Sequence, residues 1–247
     1  MDDFATITQK RMTGGFRLEN INGKNLHVDP GPGALVRTHQ FGLDPFKLDG
    51  VFISHAHTDH YNDAEILIES MTRGMTKYKG HIFGSLSVIK GYKHWGPCIS
   101  KYHLSKSRSH LIQKGRAVKW DDISIKGVKT IHGDPTGVGF QLKVNDLTIS
   151  YTADTSYYSK LPEYHDGADI LIGSVIRSGS DRIKGHLCGD DFSKLVEKVK
   201  PKLAIMTHLG MKVIMNKPDV EARRISKKSN CKVIAAKDGM IIDLEDI

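Results

Sequence analysis

Across residues 71–120 the chain has neither an aspartate nor a glutamate. With 28 acids among 247 residues, such a window would ordinarily hold about six. Its eleven Lys and Arg exceed the net charge of the whole chain, +8 from 36 basic and 28 acidic residues, so the remainder is net acidic. That excludes an evenly basic surface: one segment supplies the whole basic excess. Cysteine is scarce as well. Cys98, Cys188 and Cys231 are an odd number, far apart and without a CxxC spacing, which argues against a disulfide framework. No apolar run reaches the roughly 20 residues that a membrane span needs. The opening MDDFATITQK lacks the apolar core of a signal peptide, so a cytoplasmic location is expected. No repeat, low-complexity tract or Pro/Gly/Ser linker divides the chain, and residues 1–247 read as a single domain.

What is present is a globular composition. The apolar share is 39%, rising to about 45% when Gly is counted and Tyr is not, the usual share for a soluble domain. Residues 15–19 and 25–28 flank Asn22-Gly23, a hairpin signal. Residues 48–54 form a buried strand candidate, VFIS, that ends at a histidine cluster, and 62–71 have helical spacing. Residues 123–130, 139–144 and 147–152 read as strands, as do 168–172 and 203–206. Asp190 and Asp191 stand where an N-cap belongs, before Phe192, Leu195, Val196 and Val199, and Pro201 stops that helix. Asn216 with Pro218 behind it predicts another helix to about Ser229. Strands first, then strand–helix alternation, indicate mixed α/β layers. The basic segment has no clear assignment.

The strongest chemical signal follows VFIS: His55, His57, Asp59 and His60 lie within six residues. Four donors on a loop can diverge toward two ions a few ångströms apart. Later strands end near His132, Asp154 and His208, each weak alone, together enough for two coordination shells. Imidazole and carboxylate donors without thiolate suit Zn²⁺, with Mn²⁺ or Fe less favoured.

HxHxDH, read from His55 to His60, resembles the signature of the metallo-β-lactamase-fold superfamily. The resemblance implies a four-layer αβ/βα sandwich. It also implies one zinc held by His55, His57 and His132, a second held by Asp59, His60 and His208, and Asp154 bridging them. Asp29 in VDPGPG is similar to the early Asp that supports the metal loop. Two such ions activate water and favour an anionic substrate.

The segment around Gly185-His186, 22 residues before His208, resembles the tRNase Z and phosphonate-pathway phosphodiesterase branch. On that resemblance, Asp59 and His186 are the catalytic candidates. His186 would donate to a phosphate oxygen or protonate the leaving alkoxide. After ADILI, however, residues 173–176 carry no Glu of the tRNase Z type, so a broader phosphodiesterase is expected. The substrate would be RNA, DNA or a small cyclic or linear phosphodiester, cleaved by a metal-bridging hydroxide. Hydrolysis of a lactone or thioester, and a non-catalytic nucleic-acid-binding member, are the alternatives. Phe83, Tyr92, Trp95 and Tyr102 could stack on bases, and Arg177, Arg182 and Lys184 could meet phosphates. The backbone N–H groups of residues 189–191 could add anion stabilisation. The basic segment is expected as a wall or lid beside the metals. The oligomeric state stays open, a dimer included.

Overall fold

Alternate residues of the strand Ile170–Arg177 enter different apolar clusters: Ile170 and Ile172 face one, Leu171 and Val175 another. The strand Leu203–Thr207 does the same, with Leu203 and Ile205 against Ala204 and Met206. So does Gly50–Ile53, with Phe52 against Val51 and Ile53. A strand has a side-chain period of two, so apolar residues in every position mean a sheet covered on both faces. The computed structural model, described for residues 4–244 and 247, builds that arrangement twice. The leader-free reading of the first ten residues touches residues 1–3, which lie outside the described residues, as do 245 and 246 of the single-domain span.

One sheet contains β1 (Phe16–Ile21), β2 (Lys24–Val28), β3 (Gly50–Ile53), β4 (His81–Gly84) and β5 (Arg108–Leu111) in sequence order. The other contains β6 (Ala117–Trp120), β7 (Ile123–Lys129), β8 (Val138–Val144), β9 (Leu147–Tyr151), β10 (Ile170–Arg177), β11 (Leu187–Cys188), β12 (Leu203–Thr207) and β13 (Lys232–Ala235). Its order is β13-β12-β10-β9-β8-β7-β6, with β11 on β10. The inner faces meet in a core that includes Leu26, Phe52, Phe83, Trp120, Phe140 and Ile170. Helix Ala64–Met71 covers the first sheet outside, and helices Gly189–Val199 and Pro218–Ser229 cover the second. This is the expected four-layer αβ/βα sandwich. Among the described residues no helix is long and apolar enough to cross a membrane.

The hairpin β1–β2, strands β3, β7, β8, β9 and β12, and helix Ala64–Met71 lie where the sequence predicts them. Two caps do not. Cys188 is the N-cap of Gly189–Val199, with Asp190 and Asp191 in its first turn, where they still favour the helix dipole. Asn216 ends the short helix Met211–Met215, and Lys217 caps Pro218–Ser229. The unassigned basic segment supplies β4, β5 and β6, whose lengths of four residues each leave too little pattern to read.

Candidate metal centre

The carboxyl ends of β3, β9 and β12 and the turn between β7 and β8 converge. Leaving β3, the chain presents His55 and His57, then a single helical turn, Thr58–Tyr61, that carries Asp59 and His60. His132 follows β7, Asp154 follows β9 and His208 follows β12. His186 directly precedes β11. The groups His55–His57–His132 and Asp59–His60–His208 each bring three ligand atoms within 4.8 Å of one another. The structure thus brings together the residues of the two triads that the resemblance implies.

Three rings are pinned from behind. His132 Nδ1 lies 2.8 Å from the Gly185 carbonyl, which can only accept, so Nε2 faces inward as a lone pair. His60 Nδ1 donates to Asp29 Oδ2 at 2.9 Å. Ser54 Oγ gives its proton to Asp29 Oδ2 at 2.8 Å and so accepts from His55 Nδ1 at 2.9 Å. The inward nitrogens then crowd: His55 Nε2 and His132 Nε2 are each 2.9 Å from His57 Nδ1. One proton on His57 could relieve only one of those two contacts; a cation at the centre answers all three nitrogens.

His60 Nε2 and His208 Nε2 are 3.1 Å apart, and Asp59 Oδ2 is 3.2 Å from the latter. Asp154 Oδ2 is 3.5 Å from His60 Nε2 and His208 Nε2 and 3.9 Å from His132 Nε2, so one oxygen reaches both triads. Its other oxygen is buried with no partner. The donor set therefore fits divalent cations.

Charge is arranged to the same end. Burial, with His60 beside it, holds His55 well below the usual imidazole range. Burial opposes protonation of His60 too, but the carboxylates of Asp59, Asp154 and Asp29 draw it well above that range. His208 is likewise raised to about 9, against burial, by Asp154 and Asp59. Although burial favours their neutral forms, Asp154 is held well below the carboxylate range by His208 and His60, and Asp59 is lowered by His60 and His208. The carboxylates thus demand positive charge where these groups meet, and divalent cations compete with protons for that place.

Backbone geometry supports the constellation. Asp29, Ala153 and His208 adopt φ of 51°, 51° and 52°, in the left-handed region that non-glycine residues seldom occupy. Gly185 has φ +88°, and a Cβ there would stand 3.0 Å from His132 Nδ1. Gly31 passes so close to the Asp59 carbonyl that a Cβ would lie 2.1 Å from it. Asp134, absent from the sequence reading, is fully buried. It accepts from Ala56 N at 3.1 Å, between His55 and His57, and from Thr136 N at 2.9 Å and the Ser87 hydroxyl. The Asp-Pro turn at Asp134-Pro135 was its one visible signal.

His186 sits beside the triads, its ring centroid 4.8 Å from that of His132. Its Nδ1 is buried, unpartnered and 3.5 Å from Asp154 Oδ2. Burial lowers its pKa to about 4 and keeps the ring neutral.

Other expectations are corrected. Among the rings of the basic segment, Trp95 reaches the centre, its ring 5.1 Å from that of His57. Strands β3, β4 and β5 run parallel, so Lys79, Lys106 and Arg108, at the starts of β4 and β5, lie at the end of the sheet opposite the site. Those three charges lie away from the site, while the loop carrying Lys93 and Trp95 stands beside His57. Phe83 is fully buried in the core, unavailable to a base. Asp190 N donates to the Gly179 carbonyl at 2.9 Å, and the Glu221 carboxylate crowds Gly189, so that helix start offers no anion site. Arg177 lies 3.6 Å from Asp181, and Arg182 is held in a fork by Asp191.

A family model described as Beta-lactamase superfamily domain matches residues 24–209, a span that holds every one of these candidate ligands. The protein MJ1374 of Methanocaldococcus jannaschii is 44% identical over 244 residues, 98% of this chain and 91% of that one. Ribonuclease Z of Thermococcus kodakarensis is 25% identical over 173 residues; the match covers 67% of this chain and half, 50%, of that enzyme. Among solved structures, a diphosphatase of the PhnP family superposes with a TM-score of 0.66 at 20% identity, over 90% of this chain and 81% of that one, a likeness of fold.

Proposed function

The chain belongs to the beta-lactamase superfamily of metal-dependent hydrolases, and from that premise we propose that it hydrolyses phosphodiesters with two divalent cations, zinc before manganese or iron. The observation that carries the reading is Asp154 Oδ2, one carboxylate oxygen within 3.9 Å of ligand nitrogens in both triads, with an unpartnered histidine beside it. The similarity to a ribonuclease Z and to a diphosphatase points to phosphorus rather than acyl carbon. Residues 1–247 are read as one cytoplasmic domain.

His55, His57 and His132 would hold one ion, Asp59, His60 and His208 the other, and Asp154 both. When bound, the ions supply Lewis acidity and an acidified water. The chain's own groups do the rest. Asp29, Ser54 and the Gly185 carbonyl keep the ligand lone pairs aimed inward. Neutral His186 has a free ring nitrogen and serves better as a hydrogen-bond donor to a phosphate oxygen than as a resting proton source. Trp95 walls the His57 side.

Bis-p-nitrophenyl phosphate should be cleaved with Zn²⁺ or Mn²⁺, faster than an acyl-homoserine lactone or a thioester. His57→Ala should lose bound metal and turnover together. Undiminished cleavage in that variant, with metal loss confirmed by elemental analysis, would sink the reading. Preferred turnover of the lactone would replace phosphorus with carbon as the target.

A further inference from the structure

We infer that the cavity on the far side of His186 is a subsite for a second phosphate of the substrate, next to the one at the metal centre. The inference rests on the phosphodiesterase reading above. The cavity has a volume of about 260 Å³ and is lined by Ser156, Tyr157, Arg182, Lys184, His186 and Lys194, with Asp191 at its wall. That is below the roughly 300 Å³ at which pockets for drug-sized ligands begin, and suits one small group rather than a whole nucleotide.

Its charge is unbalanced. Asp191 is committed to Arg182, whose Nη2 donates to Oδ1 at 2.7 Å. Neither Lys184 nor Lys194 has a carboxylate partner among the described residues, so both line the cavity with no acidic group paired to them. Ser156 Oγ accepts the Gly185 N–H at 2.7 Å, which leaves its own O–H free to donate. These donors, with no acceptor opposing Lys184 and Lys194, match a phosphate.

Position turns an anion site into a substrate site. His186 is shared: one flank of its ring faces the His132 ring at 4.8 Å, and the residue also lines the cavity. Gly185, whose carbonyl fixes His132, donates its N–H to the cavity's Ser156. A substrate with its scissile phosphate at Asp154 would reach the cavity with the next phosphate of the chain. Substrates with consecutive phosphates, such as a terminally phosphorylated oligonucleotide, are therefore selected over isolated phosphodiesters.

The test compares wild type, Lys184→Ala/Lys194→Ala, and Lys198→Ala/Lys228→Ala, which removes the same charge elsewhere. Dithymidylates carrying a terminal phosphate at the 5′ or the 3′ end are compared with bis-p-nitrophenyl phosphate, and binding of thymidine 3′,5′-bisphosphate to the metal-loaded protein is measured by calorimetry. The ratio of kcat/KM for one phosphorylated dinucleotide to that for bis-p-nitrophenyl phosphate should fall at least about tenfold in the first variant, with a similar loss of bisphosphate affinity, as expected for charge-assisted contacts. The charge control should keep both. An unchanged ratio with unchanged affinity, or equal losses in both variants, overturns the subsite. If wild type cleaves no phosphodiester, the hydrolase reading falls by itself, and the bisphosphate comparison still decides the subsite.

Discussion

Asp29 accepts four hydrogen bonds on two oxygens: Ser54 N at 2.7 Å, Ser54 Oγ at 2.8 Å, and His60 Nδ1 and Tyr151 OH at 2.9 Å each. It thereby fixes both an imidazole of one triad and, through Ser54, an imidazole of the other. Asp29→Asn keeps the shape but puts an N–H where donors already point. Loss of such an outer partner ordinarily costs about 10- to 100-fold in metal affinity. A competitive zinc titration should show that loss while circular dichroism stays native; unaltered affinity would remove Asp29 from the positioning role. The candidate ligands themselves were legible because histidine and aspartate in HxHxDH have few other uses at that density. Asp134 and Gly185 were not. Their contributions are a carboxylate under Ala56 and a carbonyl behind His132, and both exist only once distant segments meet.

Parallel pairing of β10 with β12 and β9 places Gly173 beneath helix Gly189–Val199, where a Cβ would lie 2.3 Å from the Phe192 ring. The glycine lets that helix settle on the sheet, and the helix in turn fixes the cavity wall that holds Asp191 and Lys194. Gly173→Val should overpack this contact and cost about 1 to 3 kcal/mol. The urea midpoint would report it, and an unshifted midpoint would mean the helix can slide. Spacing revealed the helix and most strands around it, since Phe192, Leu195, Val196 and Val199 repeat at helical intervals. Its cap was misread because an Asp pair before an apolar run looks alike whether it caps the helix or fills its first turn. Strands β4, β5 and β6 were unreadable for a different reason: at four residues each they are too short for a period, and β5 and β6 lack the continuous apolar run that marks β3.

At the scale of the whole molecule, two histidines outside the two triads tie stability to pH. His165 is fully buried, with Nδ1 2.6 Å from Ser150 Oγ and Nε2 without a partner, and burial lowers its pKa to about 3. His27, buried with Nε2 2.6 Å from the Gly14 carbonyl, is lowered by burial to about 4. Both are neutral in the native protein, whereas the unfolded chain takes up their protons below about pH 6.5. Above that pH neither state binds the extra protons and the stability is fully present. As pH falls from about 6.5 toward 4 the unfolded state gains both protons, then only that of His165 down to about 3, at about 1.4 kcal/mol per pH unit for each group. Urea midpoints measured from pH 7.5 to 5 should therefore fall, and His165→Gln should flatten the slope by about one proton's share. Because variant and wild type share the same candidate metal site, any loss of metal at low pH affects both and cancels in the comparison. Equal slopes in the two proteins would mean that His165 is hydrated or protonated in the native state, and would shift the acid sensitivity of the fold onto the carboxylates and the histidines of the two triads.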